Sequence, residues 1–152
     1  DYRLNIFNRL TEAEIEKKGL EANILSPELT LAQMRDIGGD SSAVVYGRIP
    51  LMLLEKCVIR EVESCRECEK SGFVYLTDRK GVRFPVRRTY NHRNIIYNSL
   101  PTYMADRQSE LEKYGIKNRH FIFTVESAEE VDRVISSYES GRSTDFPVRR
   151  MN

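Results

Sequence analysis

The chain has 152 residues, 40% of them hydrophobic and 31% charged, and its 24 basic and 23 acidic residues leave a formal charge of +1. This length fits one domain that buries about two-thirds of its unfolded surface, and the balanced charge gives no general electrostatic case for nucleic acid, local basic patches aside. Because no apolar run approaches the ~20 residues of a membrane-spanning helix, we expect a soluble protein without a membrane partner.

A strand followed by a helix opens the chain, and the same pattern then repeats. Residues 2–7 read as a short strand, and Thr11 with Glu14 at capping-box spacing predicts the start of a helix. A second apolar run at 22–25 is followed by a second capping box that begins at Thr30. Both segments are typical of βα units.

Two further strands are predicted at 43–46 and 120–125. The later strand leads into another capping box, Ser127 with Glu130, and an amphipathic helix. Repeated strand-helix spacing of this kind predicts an α/β fold with parallel strands, either a small doubly wound sheet or half of a (β/α)8 barrel. A complete barrel needs about 200 residues or more, so this chain is too short to form one.

An insertion interrupts the repeats at 53–93. Within it, two short strands at 73–76 and 82–86 flank a turn that contains Gly81, which predicts a β-hairpin. Pro85 predicts that the second of these strands lies at a sheet edge. After the insertion, Thr102 is expected to cap the next helix.

The insertion also holds all three cysteines, Cys57, Cys65 and Cys68. A CxxC pair is the tightest spacing with which two thiolates reach one metal ion, and Zn²⁺ and iron-sulfur sites normally take four protein ligands. The chain has two histidines to complete the set. His92 follows the hairpin and is the better candidate, whereas His120 opens an apolar run that reads as a buried strand.

Two other interpretations of the cysteines stay open. Cys65 and Cys68 are also a possible redox pair, and all three cysteines are compatible with ordinary reduced thiols, although the CxxC pair with a nearby third cysteine favours a metal site. Their odd number argues against a disulfide framework, and the sequence lacks a signal-like apolar N-terminus, so we expect a cytoplasmic protein.

Candidate catalytic residues follow the predicted parallel strands, because function in such architectures sits at the carboxyl ends of strands. Glu28 and Glu126 are candidates for general acid-base work or metal binding, with helix N-terminal charge as the alternative role for each. Arg48 is a candidate to grip a carboxylate or a phosphate, with an internal ion pair as its alternative. The sequence contains no GxSxG or HExxH motif, and no nucleophile-base-orienter set can be assembled from it.

A series of motifs resembles, in chain order, the bacterial-type collagenase-like peptidase family, which is classed among peptidases of unknown catalytic type. The likeness covers about residues 1–141. The motifs are LNIFN (4–8), LSPEL (25–29), VYGRIPLM (45–52), the CxxC pair (65–68), LTDRKGVRFPV (76–86), IIYNSLP (95–101) and RHFIFTVES (119–127).

This resemblance implies a fold and an activity. Residues 1–141 would be the C-terminal half of a TIM-like barrel with the insertion at 53–93, and 142–152 a flexible tail. The parent protein would hydrolyse peptide bonds in a peptide or protein substrate. Because the sequence begins at Asp1 without an initiator Met, we expect a fragment that lacks the N-terminal half of its barrel and is inactive alone.

The resemblance also implies an alternative activity. Some relatives serve in the hydroxylation of RNA or of an aromatic precursor and hold an iron-sulfur cluster on four cysteines. Cys57, Cys65 and Cys68 match three of these cysteines, while His92 stands near the usual place of the fourth. A Cys₃His set suits structural Zn²⁺ better than a cluster, so a zinc-stapled, non-catalytic scaffold is the third hypothesis.

Overall fold

The computed structural model describes residues 1–20, 23–38, 41–62, 64–66, 69 and 72–151. The chain divides into two compact units, an α/β unit formed by 1–47 and 102–152 and a four-stranded unit formed by 48–101. The described residues form helices and two open sheets without a closed barrel, so the α/β class is confirmed at this coarser level. No helix within these residues is long and apolar enough to cross a membrane.

The helices and strands follow one another along the chain as mixed α and β elements. The helices are α1 (Arg9–Lys17), α2 (Leu31–Ile37), α3 (Ile59–Val62), α4 (Gln108–Lys113) and α5 (Ala128–Ser140). The strands are β1 (Ser42–Gly47), β2 (Pro50–Leu54), β3 (Phe73–Thr77), β4 (Arg83–Arg88), β5 (Asn94–Tyr97), β6 (Thr102–Tyr103) and β7 (Asn118–Ile122).

The sheet of the α/β unit has the order β6-β1-β7. β1 runs parallel to β7 and antiparallel to β6. Two parallel bridges, Ile6 with Leu25 and Ile24 with Ser42, extend the parallel arrangement towards the start of the chain. The predicted first strand is thus reduced to Ile6, since residues 2–4 form a 3₁₀ turn, while the parallel direction agrees with βα units.

Side-chain caps define where the helices of this unit begin. The capping boxes at Thr30 and Ser127 are both present, which confirms these two helix starts. The predicted start at Thr11 is wrong by three residues: Asn8 is the N-cap of α1, and its side chain accepts a hydrogen bond from the Thr11 N–H. Because Asn is as good an N-cap as Ser or Thr, the helix begins after Asn8, the earlier of the two possible caps.

A strand replaces the start of the helix that was predicted after Thr102. Tyr103 pairs with Tyr46 across β1 and β6 and is 1% exposed, so burial of its ring against the sheet overrides local helix propensity. The helical segment begins later, with a 3₁₀ turn at Ala105–Arg107 that continues into α4.

The core of the α/β unit lies between the sheet and the helices. One face of α2 buries Leu31, Met34 and Ile37, which recur at helical spacing. On the amphipathic α5, Val134 and Tyr138 are buried, whereas Ile135 is 43% exposed.

The described tail residues, 142–151, make several contacts within the α/β unit. The Tyr103 N–H donates to the Arg149 carbonyl at 3.0 Å, and the Arg150 guanidinium forms an ion pair with Asp106 at 2.8 Å. The flexibility of this tail stays a prediction, since these contacts describe one conformation.

The four-stranded unit is an antiparallel sheet with the order β2-β5-β4-β3. The predicted hairpin is present as β3 and β4, with Tyr75 opposite Pro85. The prediction that β4 is an edge strand is wrong, because β4 lies between β3 and β5. The β4–β5 ladder begins at Val86, one residue beyond the proline, so Pro85 is not in this ladder although its strand is internal.

Candidate functional site

Glu126 follows β7, the strand that runs parallel to β1, and its carboxylate is held by three donors. One oxygen, Oε2, accepts the backbone N–H groups of Thr124 at 2.6 Å and Val125 at 3.0 Å. The other, Oε1, lies 3.3 Å from the Tyr46 hydroxyl, which donates to it. Glu126 is half-buried, and these donors fix its orientation at the carboxyl end of the strand pair. A carboxylate placed in this way can accept a proton from water or bind a cation.

Tyrosine hydroxyl groups support the strand end on which Glu126 lies. Tyr46 is 3% exposed and packs its ring edge-on against Tyr103 at a centroid distance of 6.4 Å. Tyr138 of α5 donates its hydroxyl to the Val45 carbonyl at 2.6 Å and accepts from the Met104 N–H at 2.8 Å. Burial raises the pKa of Tyr138 above its ordinary value. The phenol therefore stays neutral and links helix to strand.

Glu28, the second predicted carboxylate, is exposed in the loop between Leu25 and α2. Among the described residues its side chain makes no hydrogen bond or ion pair, although its N–H lies 3.4 Å from the Ser26 hydroxyl oxygen. Ser26 itself is 1% exposed. Glu28 and Glu126 share the α/β unit, and the structure shows no contact that pairs them.

Arg48 belongs to the four-stranded unit and contacts backbone carbonyls there. Its Nη1 atom donates to the Asn98 carbonyl at 3.1 Å and to the Ser99 carbonyl. Within the described residues it has no acidic partner, so the predicted internal ion pair does not form among them. Its Nε atom is buried and finds no hydrogen-bond partner in the part of the chain that the structure describes. The contacts tie Arg48 to the IIYNSLP motif.

The predicted metal ligands have different surroundings. Cys57 is half-buried against the cluster around Ile59, whereas Cys65 is exposed. Cys68 lies outside the described residues. His92 is exposed and has a φ of +58°, in the left-handed region that few non-glycine residues adopt.

Two interactions join the segment of Cys57 to the segment of His92. The side chain of Asn94, which is fully buried, accepts the Val58 N–H at 2.8 Å. The Arg93 guanidinium forms an ion pair with Glu55 at 2.8 Å. The residues that flank Cys57 therefore contact the two residues that follow His92.

The described residues do not by themselves complete a metal site. Among them, no three His, Cys, Asp or Glu side chains form a group that would hold an ion. A four-ligand zinc or iron-sulfur site also requires Cys68, so the donor set Cys57, Cys65, Cys68 and His92 stays a prediction. His120, the alternative ligand, lies in β7, and partial burial lowers its pKa.

A groove of about 380 Å³ lies at the other end of the parallel strands. Ser41, just before β1, and Ile116 and Lys117, just before β7, are among its lining residues. None of the candidate catalytic or metal-binding residues that the structure describes is among its lining residues.

The sequence does not predict the contacts that two residues of the candidate site, Tyr46 and Asn94, make with distant parts of the chain. Tyr46 was noted at a strand end, but its pairing with Glu126 joins positions 80 residues apart, which no local pattern reveals. For Asn94, nothing in the neighbouring sequence marks a buried side chain that binds a distant backbone group.

Comparisons of the chain with protein-family models, with curated proteins and with solved structures find no match in any of the three.

Proposed function

We propose that the chain is part of a collagenase-like peptidase-family protein and that the Glu126 carboxylate serves in peptide-bond hydrolysis. The observation that carries this proposal is the position of Glu126 at the carboxyl end of parallel strands, fixed by two backbone N–H groups and the Tyr46 hydroxyl. The ordered family-like motifs support the choice of substrate. In this proposal the α/β unit is part of a (β/α)8 barrel.

The proposed chemistry needs one general base. Among the described residues, Oε1 of Glu126 has a single donor, at 3.3 Å, and thus keeps a lone pair for a water molecule. The carboxylate takes a proton from this water, whose oxygen adds to the peptide carbonyl carbon. The carbon–nitrogen bond then breaks, and the protonated carboxyl returns the proton to the leaving amine. Glu28, whose exposed side chain has no partner within the described part of the chain, is the candidate for contact with substrate.

The test is release of peptides from gelatin by the purified full-length protein and its variants, because the chain is proposed to be only part of that protein. Glu126→Gln keeps the volume of the side chain and removes the base, so the rate should fall by about 100-fold or more. Glu139→Gln, an exposed carboxylate change on α5, should leave the rate unchanged. Absence of peptide release by the unmodified full-length protein, or an unchanged rate for Glu126→Gln, would contradict the proposal.

A second candidate function is a zinc-stapled scaffold in the four-stranded unit. The specific observation in its favour is that the Val58–Asn94 hydrogen bond and the Glu55–Arg93 ion pair join the segments of Cys57 and His92. Zn²⁺ on Cys57, Cys65, Cys68 and His92 would supply folding free energy, as structural zinc sites do.

A further inference from the structure

The two units differ strongly in charge, which the formal charge of the whole chain conceals. Residues 48–101 contain eleven Lys and Arg against six Asp and Glu, whereas the rest of the chain contains thirteen against seventeen. The four-stranded unit is thus basic, and a basic unit attracts polyanions.

The β3–β4 hairpin concentrates basic and aromatic residues on one sheet face. The register places Phe73 opposite Arg87 and Thr77 opposite Arg83, so these side chains alternate on the same side of the sheet as Tyr75. We call the set Phe73, Tyr75, Arg83 and Arg87 the hairpin face. Tyr75, Arg83 and Arg87 are exposed, so this face is open to a ligand.

The Tyr75 ring and the Arg83 guanidinium form a platform on the hairpin face. Tyr75 is 40% exposed and meets Phe73 edge-to-face at a centroid distance of 5.6 Å. The Arg83 guanidinium lies over the Tyr75 ring, 4.1 Å from its centre, and bases stack on guanidinium planes as well as on aromatic rings.

Further positive charge continues from the hairpin face into the turn. Arg79 and Lys80 are exposed there, and among the described residues neither forms an ion pair, nor does Arg83. The one carboxylate of the turn, Asp78, accepts hydrogen bonds from the backbone N–H groups of Lys80 at 2.8 Å and Val82 at 2.9 Å. Asp78 therefore stabilises the turn.

We propose that the hairpin face binds single-stranded nucleic acid, with bases stacked on Tyr75 and the Arg83 guanidinium and phosphates paired with Arg79 and Lys80 of the turn. Basic side chains interleaved with aromatic rings on an open strand face are the arrangement that single-strand binders use. An acidic peptide would use the charges but not the stacking platform. RNA and DNA share the chemistry on which the proposal rests, and this binding is separate from peptide hydrolysis.

The experiment is fluorescence anisotropy of the whole chain with labelled mixed-sequence RNA and DNA single strands of about 12 nucleotides, against a duplex of equal length. We expect binding to single strands that exceeds duplex binding by about tenfold, and that weakens with salt as counterions are released. Tighter binding of one single strand identifies RNA or DNA as the natural ligand. Equal binding of single strands and duplex, or no binding, would overturn the proposal.

Matched variants separate stacking from charge. Tyr75→Ala should weaken binding by about tenfold, while Tyr75→Phe keeps the ring and should stay within about twofold of the unmodified chain. Arg83→Glu should weaken binding by at least about tenfold and make the salt dependence less steep.

The controls are an exposed tyrosine of the same unit, Tyr90→Ala, and a charge reversal on α5, Arg133→Glu, and both should change the affinity by less than about twofold. Loss of binding in Arg83→Glu without any change in Tyr75→Ala would show generic polyanion attraction and overturn the stacking proposal. Glu126→Gln should bind normally, so failure of hydrolysis and failure of this proposal are distinguishable.

Discussion

Among the described glycines, Gly47, at the carboxyl end of β1, is the one at which an added Cβ would be most crowded. Its φ is +127°, and a Cβ built there would lie 2.7 Å from the Ile122 Cβ of β7. We expect Gly47→Ala to lower the free energy of unfolding by about 2–4 kcal/mol, because backbone strain and crowding of β7 add together. Urea unfolding followed by circular dichroism measures this change.

Gly115→Ala is the matched control for this substitution. Gly115 also has a positive φ, +76°, but a Cβ there meets no atom within 4 Å. Its substitution should cost about 1–2 kcal/mol, from strain alone. Equal destabilisation by the two substitutions would contradict a packing role for Gly47.

Among the elements, α5 is joined to the sheet by Tyr138. Its hydroxyl contacts Val45 and Met104, and burial raises its pKa above the ordinary value near 10. Because the folded state holds this proton more tightly than the unfolded state, its stabilising effect is present below pH 10 and is lost as the pH rises through the folded pKa.

Tyr138→Phe should therefore be destabilised by about 1–3 kcal/mol at pH 8, since two buried backbone groups lose their partner. The difference in unfolding free energy between the unmodified chain and this variant should shrink above pH 10, as measured by urea unfolding at several pH values. A difference that is constant from pH 8 to 11 would contradict the role of the buried phenol.

The elements with strong local signals could be predicted from the sequence, and the rest depended on distant contacts. The capping boxes at Thr30 and Ser127 fix helix starts through bonds within four residues, so sequence reveals them. Tyr103 lies in a strand because it pairs with Tyr46, a partner far away in the chain. The position of Glu126 after a strand was predictable, but its contact with Tyr46 was not, because it depends on how β7 meets β1.

At the scale of the whole molecule, the four-stranded unit carries the excess of positive charge and all three cysteines. The balanced net charge argued against nucleic acid for the chain as a whole, yet residues 48–101 are basic and hold all three cysteines. Composition averaged over a chain conceals such a division, because the acidic α/β unit offsets it. The candidate base Glu126 and the candidate metal ligands accordingly lie in different units.

The metal site is the prediction that decides what organises the four-stranded unit. If Cys57, Cys65, Cys68 and His92 bind zinc, elemental analysis of the whole chain should give about one zinc per chain. Cys57→Ser and His92→Ala should each lose most of it, because a structural site needs its full set of four ligands. His120→Ala, which changes a histidine in β7, is the control and should keep the metal.

Each result of this measurement points to a different chemistry. Zinc that also raises the thermal unfolding temperature, and is removed by chelators with loss of stability, would support the scaffold, since metal binding is then coupled to folding. Several irons with matching sulfide after anaerobic purification would favour the hydroxylation alternative, as cluster sites require. If the chain contains no metal after either aerobic or anaerobic purification, that result would contradict the proposed ligand set. The Val58–Asn94 and Glu55–Arg93 contacts would then be the interactions that hold the cysteine segment against the sheet.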